Sequence, residues 1–500
     1  MIERSAGILM PISSLPSPYG IGTLGKAAYD FADFLASAGQ KWWQVLPVGP
    51  TSMGDSPYQS FSSEAGNPYF VDLDMLCEDG LLEKSELEAI NWGDDAGNVD
   101  YGKIYENRFV LLEKAMERGW DRDEAAVGEF VHDNRAWVRD YALFMACKRH
   151  FGMRSWTEWP DEDIRLHRTK AVEKYSELLE KDIRLFVYIQ FLFYRQWNAL
   201  RAYLKEKGIG IIGDTPIYVA MDSADVWAAP AFFQLDSRNV PTEVAGVPPD
   251  YFSEDGQLWG NPLYRWDEMA CDGYSWWMHR IEGAVKLYDI LRIDHFRGFE
   301  AYWAVPYGEA TTKNGRWVNG PGMDFIGKVK ERFPDMKFIA EDLGFLTDGV
   351  RELLRDSGFP GMKVLEFAFN PHEPSDYLPY KYPHNCVCYA GTHDNATLKS
   401  WQAETEKENL DFAREYFGAD ESADLNWVIL RGGMASTADL FVAQMQDYLG
   451  LDDAARMNTP GLPSGNWRWR VDAAALSTEL AKKIGRMTKV YGRSGKEIKS

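Results

Sequence analysis

Short apolar runs, most of them separated by helix-favouring stretches, constrain the fold of this 500-residue chain more than any other feature. Seven of these runs end in polar or charged residues, and they span residues 6–11, 43–47, 209–213, 290–293, 337–340, 364–369 and 386–390. Near-continuous apolar runs of this length are typical of parallel strands that are buried on both faces. Seven such strands alternating with helices predict a (β/α)8 TIM barrel, which is an α/β fold. The eighth strand is harder to place, and we assign it to the segment after Trp467.

The uneven spacing of the predicted strands indicates insertions into the barrel. Residues 73–180 are charged and helix-favouring, so we interpret them as a helical insertion subdomain after the second strand. Residues 182–207 predict a long apolar helix that leads into the third strand. Residues 220–272 are rich in Pro, Gly, Trp and Tyr and predict a loop-rich insertion at the barrel mouth. We therefore expect a single (β/α)8 domain over residues 1–500, without a C-terminal β-sandwich.

Charge and composition disfavour several classes of partner. The chain has 54 Lys+Arg and 76 Asp+Glu, and its net charge of −22 disfavours nucleic acid and anionic membranes as partners. No apolar run approaches the roughly 20 residues of a membrane span. The five cysteines show no zinc-site or disulfide spacing, and no signal-peptide pattern opens the chain, so we expect a cytoplasmic protein. The 14% of aromatic residues suits sugar stacking, although a large core explains it equally well.

One glycine motif matches a different class of protein but does not fit its surroundings. Residues 208–213 read Gly-Ile-Gly-Ile-Ile-Gly, the G-x-G-x-x-G pattern of dinucleotide-binding proteins. In those proteins the motif follows a strand and opens a helix, so that the phosphate meets the helix N-terminus. Here a predicted helix precedes the glycines and the strand runs through them. Since P-loop, zinc-protease and calcium-loop patterns are also missing from the sequence, we predict neither a nucleotide site nor a metal site.

Three predicted strand ends carry acids in dense polar clusters. The clusters are Arg-Ile-Asp-His-Phe-Arg-Gly (292–298), Ala-Glu-Asp-Leu-Gly (340–344) and Gly-Thr-His-Asp-Asn (391–395). Because the C-terminal ends of barrel strands meet at one mouth, we expect Asp294, Glu341 and Asp394 to face a single substrate. Such a trio suits the exchange of a glycosidic bond. One carboxylate attacks the anomeric carbon, a protonated one supplies the leaving oxygen with a proton, and the third stabilises the cationic transition state.

Taken alone, each cluster is explained better by a structural role. Arg292 lies two residues before Asp294, so in a strand both side chains point to the same face. They form either a structural ion pair or a catalytic pair in which Arg292 keeps the nucleophile ionised. Glu341 either takes part in the chemistry or caps the next helix. Tyr58 and Trp259 lie in polar loops, where each ring either meets a sugar or packs against its own loop. Three clusters at barrel-compatible spacing favour catalysis.

These clusters and their flanking sequence resemble a known family. Arg-x-Asp-His at the fourth strand, Glu at the fifth and His-Asp at the seventh resemble the signature regions of the α-amylase clan. Five longer stretches resemble the 4-α-glucanotransferases, also called amylomaltases or disproportionating enzymes, and they are residues 7–25, 49–68, 246–264, 292–322 and 457–470. The resemblance implies a retaining enzyme that needs no cofactor or metal. It would move α-1,4-glucan segments from maltooligosaccharide donors to the 4-hydroxyl of glucose or another glucan, through a covalent glucosyl-enzyme.

The resemblance also implies roles for residues of this chain. Asp294 would be the nucleophile, Glu341 the general acid/base and Asp394 the transition-state stabiliser. The residues implied to line the substrate subsites are Ser56, Tyr58, Asp214, Gln257, Trp259, Arg292, His295 and His393. We expect the loops at residues 251–261 and 458–467 to cover the site and to hold an acceptor sugar where water would otherwise attack. Two alternatives stay open, namely an α-glucan hydrolase of the same clan and a non-catalytic glucan-binding barrel.

Overall fold

The computed structural model describes residues 2–52, 54–249, 253–344, 346–462 and 464–494. The strands are β1 (Ser5–Leu9), β2 (Trp42–Gln44), β3 (Gly210–Pro216), β4 (Glu243–Val247), β5 (Gln257–Pro262), β6 (Ile290–Asp294), β7 (Ala301–Pro306), β8 (Arg316–Asn319), β9 (Lys337–Ala340), β10 (Gly361–Val364), β11 (Cys386–Tyr389) and β12 (Leu440–Gln444). The α-helices are α1 (Lys26–Ser37), α2 (Leu73–Glu78), α3 (Lys84–Glu88), α4 (Tyr101–Asp133), α5 (Val138–His150), α6 (Glu162–Arg165), α7 (Thr169–Leu178), α8 (Glu180–Glu206), α9 (Ala224–Ala228), α10 (Trp266–Cys271), α11 (Ser275–Leu287), α12 (Gly322–Arg332), α13 (Asp348–Ser357), α14 (Leu398–Glu404), α15 (Lys407–Phe417), α16 (Leu425–Ala435), α17 (Met445–Leu449) and α18 (Thr478–Val490).

Eight parallel strands form the central sheet, in the order β10-β11-β12-β1-β2-β3-β6-β9. Its two outer strands, β9 and β10, come close enough for Ala340 N to donate to Pro360 O at 3.0 Å, so the sheet nearly closes into a barrel. All five residues of β1 are buried, as expected for a strand with side chains filling the barrel on one face and helices covering the other. The α/β barrel predicted from the sequence is confirmed.

Two predicted strands are misplaced. The run at residues 364–369 is not itself a strand, because β10 ends at Val364 and Leu365–Phe367 form a 3-10 turn. The true strand, Gly361–Val364, is short and includes Gly361 and Lys363, whereas the residues that follow it are largely apolar, so the apolar run points to the wrong segment. The placement of the eighth strand after Trp467 is also wrong, since that strand is β12. Strand β12 begins only four residues after the apolar helix α16, so the pattern of apolar residues over both elements resembles that of one long helix.

Both predicted insertions contain more regular structure than the sequence indicated. In the first, α4 extends over 33 residues and packs against α8. In the second, β4 and β5 belong to a four-stranded antiparallel sheet of order β5-β4-β7-β8, which the description of residues 220–272 as loop-rich did not include. These strands are short and contain Gly and Pro, which conceals their alternation. The division into one domain with insertions at 73–180 and 220–272 stays a prediction.

The glycines of the G-x-G-x-x-G pattern serve strand packing. Gly210 and Gly213 lie in β3, and a Cβ atom on them would overlap the rings of Trp42 and Tyr288, respectively. Only glycine therefore fits at these two positions, and no helix begins after them. Among the described residues, no helix is long and apolar enough to cross a membrane.

Candidate active site

The C-terminal ends of β3 and β6 bring two aspartates and an arginine together. The pairing of these strands sets Asp214 opposite Arg292. Arg292 Nη1 lies 2.8 and 2.7 Å from the two carboxylate oxygens of Asp214, and 2.9 Å from Asp294 Oδ1. Arg292 and Asp214 are buried, whereas 30% of the Asp294 side chain is exposed. The buried guanidinium therefore fixes the orientation of Asp294 while leaving its carboxylate accessible from the barrel mouth.

Glu341 follows β9, and backbone groups orient its carboxyl. His295 N donates to Glu341 Oε2 at 2.8 Å, and Leu343 N donates to Oε1 at 2.7 Å. Burial raises the pKa of Glu341 to about 7, and the negative charge of Asp294 adds to this effect. A carboxyl with a pKa near neutrality both carries and accepts a proton at neutral pH, which is the requirement for a general acid/base.

His295 occupies an unusual backbone position between Asp294 and the 3-10 turn Phe296–Phe299. Its φ of 52° lies in the left-handed region, which is strained for a residue other than glycine. From this position the His295 N–H donates to Glu341 Oε2. Burial lowers the pKa of His295 to about 4, so its ring is neutral at pH 7. Trp259 meets that ring edge to face at 4.8 Å, and its Nε1 donates to Gln257 Oε1 at 3.2 Å.

Asp394 lies in the loop after β11, where His393 and Asn458 both contact its carboxylate. His393 Nε2 is 3.3 Å from Asp394 Oδ2, and Asn458 Nδ2 donates to Oδ1 at 2.6 Å. Burial alone would raise the pKa of Asp394, but His393 and Asn458 outweigh it and hold that pKa well below its usual range. Burial alone would lower the pKa of His393, yet Asp394 raises it. Each partner thus favours the charged form of the other, and Asp394 stays a carboxylate.

Tyr58 connects the two sides of the mouth. Its hydroxyl donates to Asp214 Oδ2 at 2.9 Å and lies 3.3 Å from His393 Nδ1, while its ring stacks on His393 at 4.9 Å. A continuous chain of polar contacts therefore runs through Asp294, Arg292, Asp214, Tyr58, His393 and Asp394. In a buried environment such a network holds its members in one arrangement.

These groups open into a cleft of about 900 Å³ at the barrel mouth. Eight of the residues predicted for the site line it, and they are Ser56, Tyr58, Gln257, Trp259, Asp294, His295, His393 and Asp394. Asp214, Arg292 and Glu341 are not among the lining residues and contact them as described above. A cleft of this size takes several sugar rings, with exposed carboxylates at its floor and aromatic rings at its walls.

Both predicted loops contribute to the walls of this cleft. Gln257 and Trp259 come from the first predicted loop, whose residues from Gln257 onward form strand β5, whereas Asn458 and Trp467 represent the second loop. The Trp467 ring lies 5.8 Å from the Tyr58 ring, so the second loop reaches the centre of the site. Tyr251, Phe252 and Pro463 lie outside the described residues. The exclusion of water by these loops stays a prediction.

Comparisons with known proteins agree with this geometry. A family model described as 4-alpha-glucanotransferase matches residues 10–476. The chain belongs to the 4-alpha-glucanotransferase family. A 4-alpha-glucanotransferase of Clostridium butyricum is 48% identical over 97% of this chain and 100% of its own length, and one from Thermus thermophilus is 44% identical over 98% and 99%. The solved amylomaltase from Streptococcus agalactiae in complex with acarbose is 40% identical, with a TM-score of 0.96 over 98% of this chain and 100% of that one.

Family membership confirms the resemblance and the glucanotransferase activity predicted from the sequence, and it favours them over the hydrolase alternative. The roles of single residues stay predictions. Asn458 and Arg456 both lie close to Asp394, although neither was predicted from the sequence as a site residue. Arg456 Nη2 donates to Asp394 O at 3.0 Å, and its Nε donates to Asn458 O at 2.8 Å. Asn458 could have been identified as a candidate from the sequence, because it falls in the stretch 457–470 that resembles the family.

We expect Tyr58→Phe to lower kcat by about 10- to 100-fold while the fold and the ring stacking on His393 remain. The change removes one hydroxyl that bonds the charged Asp214, an interaction worth about 1.5–3 kcal/mol. The measurement is kcat and KM for maltotriose disproportionation. The matched control is Tyr380→Phe, since Tyr380 is 69% exposed. An unchanged kcat in Tyr58→Phe would mean that the chain of polar contacts through Tyr58 does not contribute to catalysis.

Proposed function

We propose that this enzyme transfers α-1,4-glucan segments by a retaining two-step mechanism in which Asp294, Glu341 and Asp394 have distinct roles. The observation that carries the proposal is that the surroundings of Glu341 and Asp394 shift their pKa values in opposite directions. Burial raises the pKa of Glu341 to about 7, whereas His393 and Asn458, opposing the effect of burial, hold the pKa of Asp394 well below its usual range. One carboxyl can thus exchange a proton while another keeps its charge, which is the division of labour of glycosidic bond exchange.

In the first step, the Asp294 carboxylate attacks the anomeric carbon of the donor. The bond from that carbon to the glycosidic oxygen breaks, and Glu341 gives its proton to the departing oxygen. The departing glucan leaves with a free 4-hydroxyl, and the donor segment stays on Asp294 as an ester. Arg292 holds Asp294 in place at 2.9 Å, and the charge of Asp394 stabilises the cationic sugar in the transition state.

In the second step, the 4-hydroxyl of an acceptor glucose or glucan attacks the same carbon. Glu341, now a carboxylate, takes the hydroxyl proton, and Asp294 is released. Two successive displacements restore the original α configuration. Hydrolysis differs only in the use of water as the acceptor. Residues of both loops line the cleft, which supports an acceptor held in the position that water would otherwise take.

The maltotriose assay tests this function directly. We expect purified protein, without added metal or nucleotide, to convert maltotriose into glucose and a ladder of longer glucans while the total of reducing ends stays constant. Constant reducing ends follow because each transfer breaks one glycosidic bond and makes another. Thin-layer chromatography follows the ladder, and a copper-reduction assay counts the reducing ends. Rising reducing ends would restore the hydrolase alternative, and no reaction with maltotriose or longer donors would restore the non-catalytic one.

The rate should fall as the pH rises through about 7. Glu341 has a raised pKa of about 7, so it is protonated below that pH and loses above it the proton that the first step needs. The measurement is kcat/KM for maltotriose as a function of pH. As a control, α-maltosyl fluoride should lack this alkaline fall in its first step, because fluoride leaves without a proton. A flat profile for maltotriose between about pH 6 and pH 9 would contradict the role of Glu341.

The finer expectations about partners and location remain proposals. The family description and the acarbose complex of the Streptococcus agalactiae protein support maltooligosaccharide donors and glucose or glucan acceptors for this chain. The cytoplasmic location and the lack of nucleic-acid and membrane partners rest on the sequence alone. Among the described residues, no group of three or more His, Cys, Asp or Glu side chains is arranged to hold a metal ion.

A further inference from the structure

A buried polar cluster that the proposed mechanism does not use lies where β10, β11 and β12 end. It consists of Glu366, which follows β10, Gln444, the last residue of β12, and Asp447 in α17. Gln444 and Asp447 are fully buried, and Glu366 is partly buried with its Oε1 atom enclosed. We refer to these three residues as the Glu366 cluster.

The Glu366 cluster contacts both ends of the loop that carries Asp394. At the start of the loop, a Cβ atom on Gly391 would lie 2.5 Å from Glu366 Oε1 and 3.1 Å from Gln444 Nε2, so both side chains pack directly against the Gly391 backbone. At its end, Gln444 Nε2 donates to Ala396 O at 3.3 Å, and Leu398 N donates to Asp447 Oδ1 at 2.8 Å. The position of the loop therefore depends on this cluster.

The Glu366 cluster has fewer hydrogen-bond donors than its buried oxygens require. Three of its oxygens are buried without a partner among the described residues, and they are Glu366 Oε1, Gln444 Oε1 and Asp447 Oδ2. The Gln444 amide cannot be reversed to help, because its oxygen would then face the Ala396 carbonyl. Gln444 Nε2 has a second N–H besides the one that bonds Ala396 O, but one N–H cannot serve three oxygens, so a proton on a carboxyl is the further donor that these side chains can add. Burial, reinforced by Asp447, also raises the pKa of Glu366 well above its usual value.

We propose that Glu366 is a positioning residue for glucan transfer. As a neutral carboxylic acid it donates its proton to an oxygen of Asp447 or Gln444, and the completed cluster holds the loop so that Asp394 keeps its place against the sugar. Arg456 also holds this loop, through the Asp394 carbonyl. This inference rests on the proposed role of Asp394 in the transition state.

Two substitutions separate the proton donor from the shape of the side chain. Glu366→Gln keeps the shape and supplies amide N–H donors, so kcat should stay close to that of the unaltered enzyme. Glu366→Leu removes every hydrogen bond, and we expect kcat to fall about a hundredfold with little change in KM, because Asp394 acts mainly on the transition state. The matched control is Glu64→Leu. Glu64 is another carboxyl whose pKa burial raises, to about 8, and it is not among the residues that line the cleft. That control should lose thermal stability but keep its kcat.

A spectroscopic measurement tests the protonation state without relying on activity. Glu64 and Glu341, with pKa values raised to about 8 and about 7, contribute carboxylic-acid C=O bands of their own at neutral pH. The Glu366 band is therefore the one that the infrared difference spectrum between the unaltered enzyme and Glu366→Gln should show as lost, and it should persist in Glu64→Leu. Absence of that band overturns the inference, and so does an equal loss of kcat in Glu366→Gln and Glu366→Leu. If Glu366→Leu fails to fold, Glu366→Gln and the infrared band still decide.

Asp394→Asn distinguishes a failure of this inference from a failure of the proposed function. An unchanged kcat in Asp394→Asn would overturn the proposed role of Asp394 itself. A large loss in Asp394→Asn together with an unchanged kcat in Glu366→Leu would overturn the role of Glu366 alone. Large losses in both variants, with Glu366→Gln active, are the result that we expect.

Discussion

Replacing Asp294 by Asn should abolish glucan transfer and leave the protein folded. An amide oxygen is a poor nucleophile, so no ester with the sugar forms, and we expect kcat to fall by at least about 10⁴-fold, as for other residues that form covalent intermediates. The fold should survive because Asn has the same shape, and because Arg292 keeps its two contacts with Asp214 at 2.8 and 2.7 Å. The measurement is the rate of maltotriose disproportionation, with the melting temperature recorded in parallel.

Two controls make the Asp294 result specific. Asp356→Asn makes the same change on helix α13, where the aspartate side chain is 48% exposed, and it should leave the rate unchanged. The smaller variant Asp294→Gly, supplied with azide and α-maltosyl fluoride, should form β-maltosyl azide, because azide takes the space and the role of the missing carboxylate. Transfer at the unaltered rate in Asp294→Asn would remove Asp294 as the nucleophile.

Most barrel strands could be predicted because their residues are apolar on both faces. β6 and β9 appear in the sequence as short, mainly apolar runs next to an acid, with Arg292 as the one charged residue inside the β6 run, so the strands and the clusters with Asp294 and Glu341 were found together. β12 was missed because an apolar helix precedes it and no charged residue marks its end. Missing β12 also concealed Gln444 and Asp447, and with them the support of the Asp394 loop.

The residue types of the site could be predicted, whereas their connections could not. The contact of Tyr58 with His393 joins residues 335 positions apart in the chain. The ion pair of Asp214 with Arg292 depends on the register between β3 and β6, which a single sequence does not specify. Asn458 escaped notice for a related reason, since an isolated amide in a loop has no spacing that marks it as the partner of Asp394.

Replacing Glu341 by Gln should separate the two chemical steps. The amide cannot give a proton to the glycosidic oxygen, so we expect the rate with maltotriose to fall by about 10²- to 10⁴-fold. The backbone N–H of His295 still orients one end of the side chain, which should keep the local structure intact. With α-maltosyl fluoride the first step needs no proton and should proceed. The second step lacks its base, so a maltosyl ester should accumulate on Asp294.

Mass spectrometry of the intact protein measures that ester as an added maltosyl group, and digestion assigns it to the peptide that contains Asp294. The matched control is Glu408→Gln, since that side chain is 70% exposed on helix α15, and this variant should turn over both donors at the unaltered rate. The double variant Asp294→Asn with Glu341→Gln should form no adduct. If Glu341→Gln reacts with maltotriose as fast as the unaltered enzyme, another group supplies the proton. Glu341→Gln could also stay slow with α-maltosyl fluoride and accumulate no ester. A donor that needs no acid would then have failed to restore the first step, which would mean that Glu341 maintains the geometry of the site and does not supply the proton.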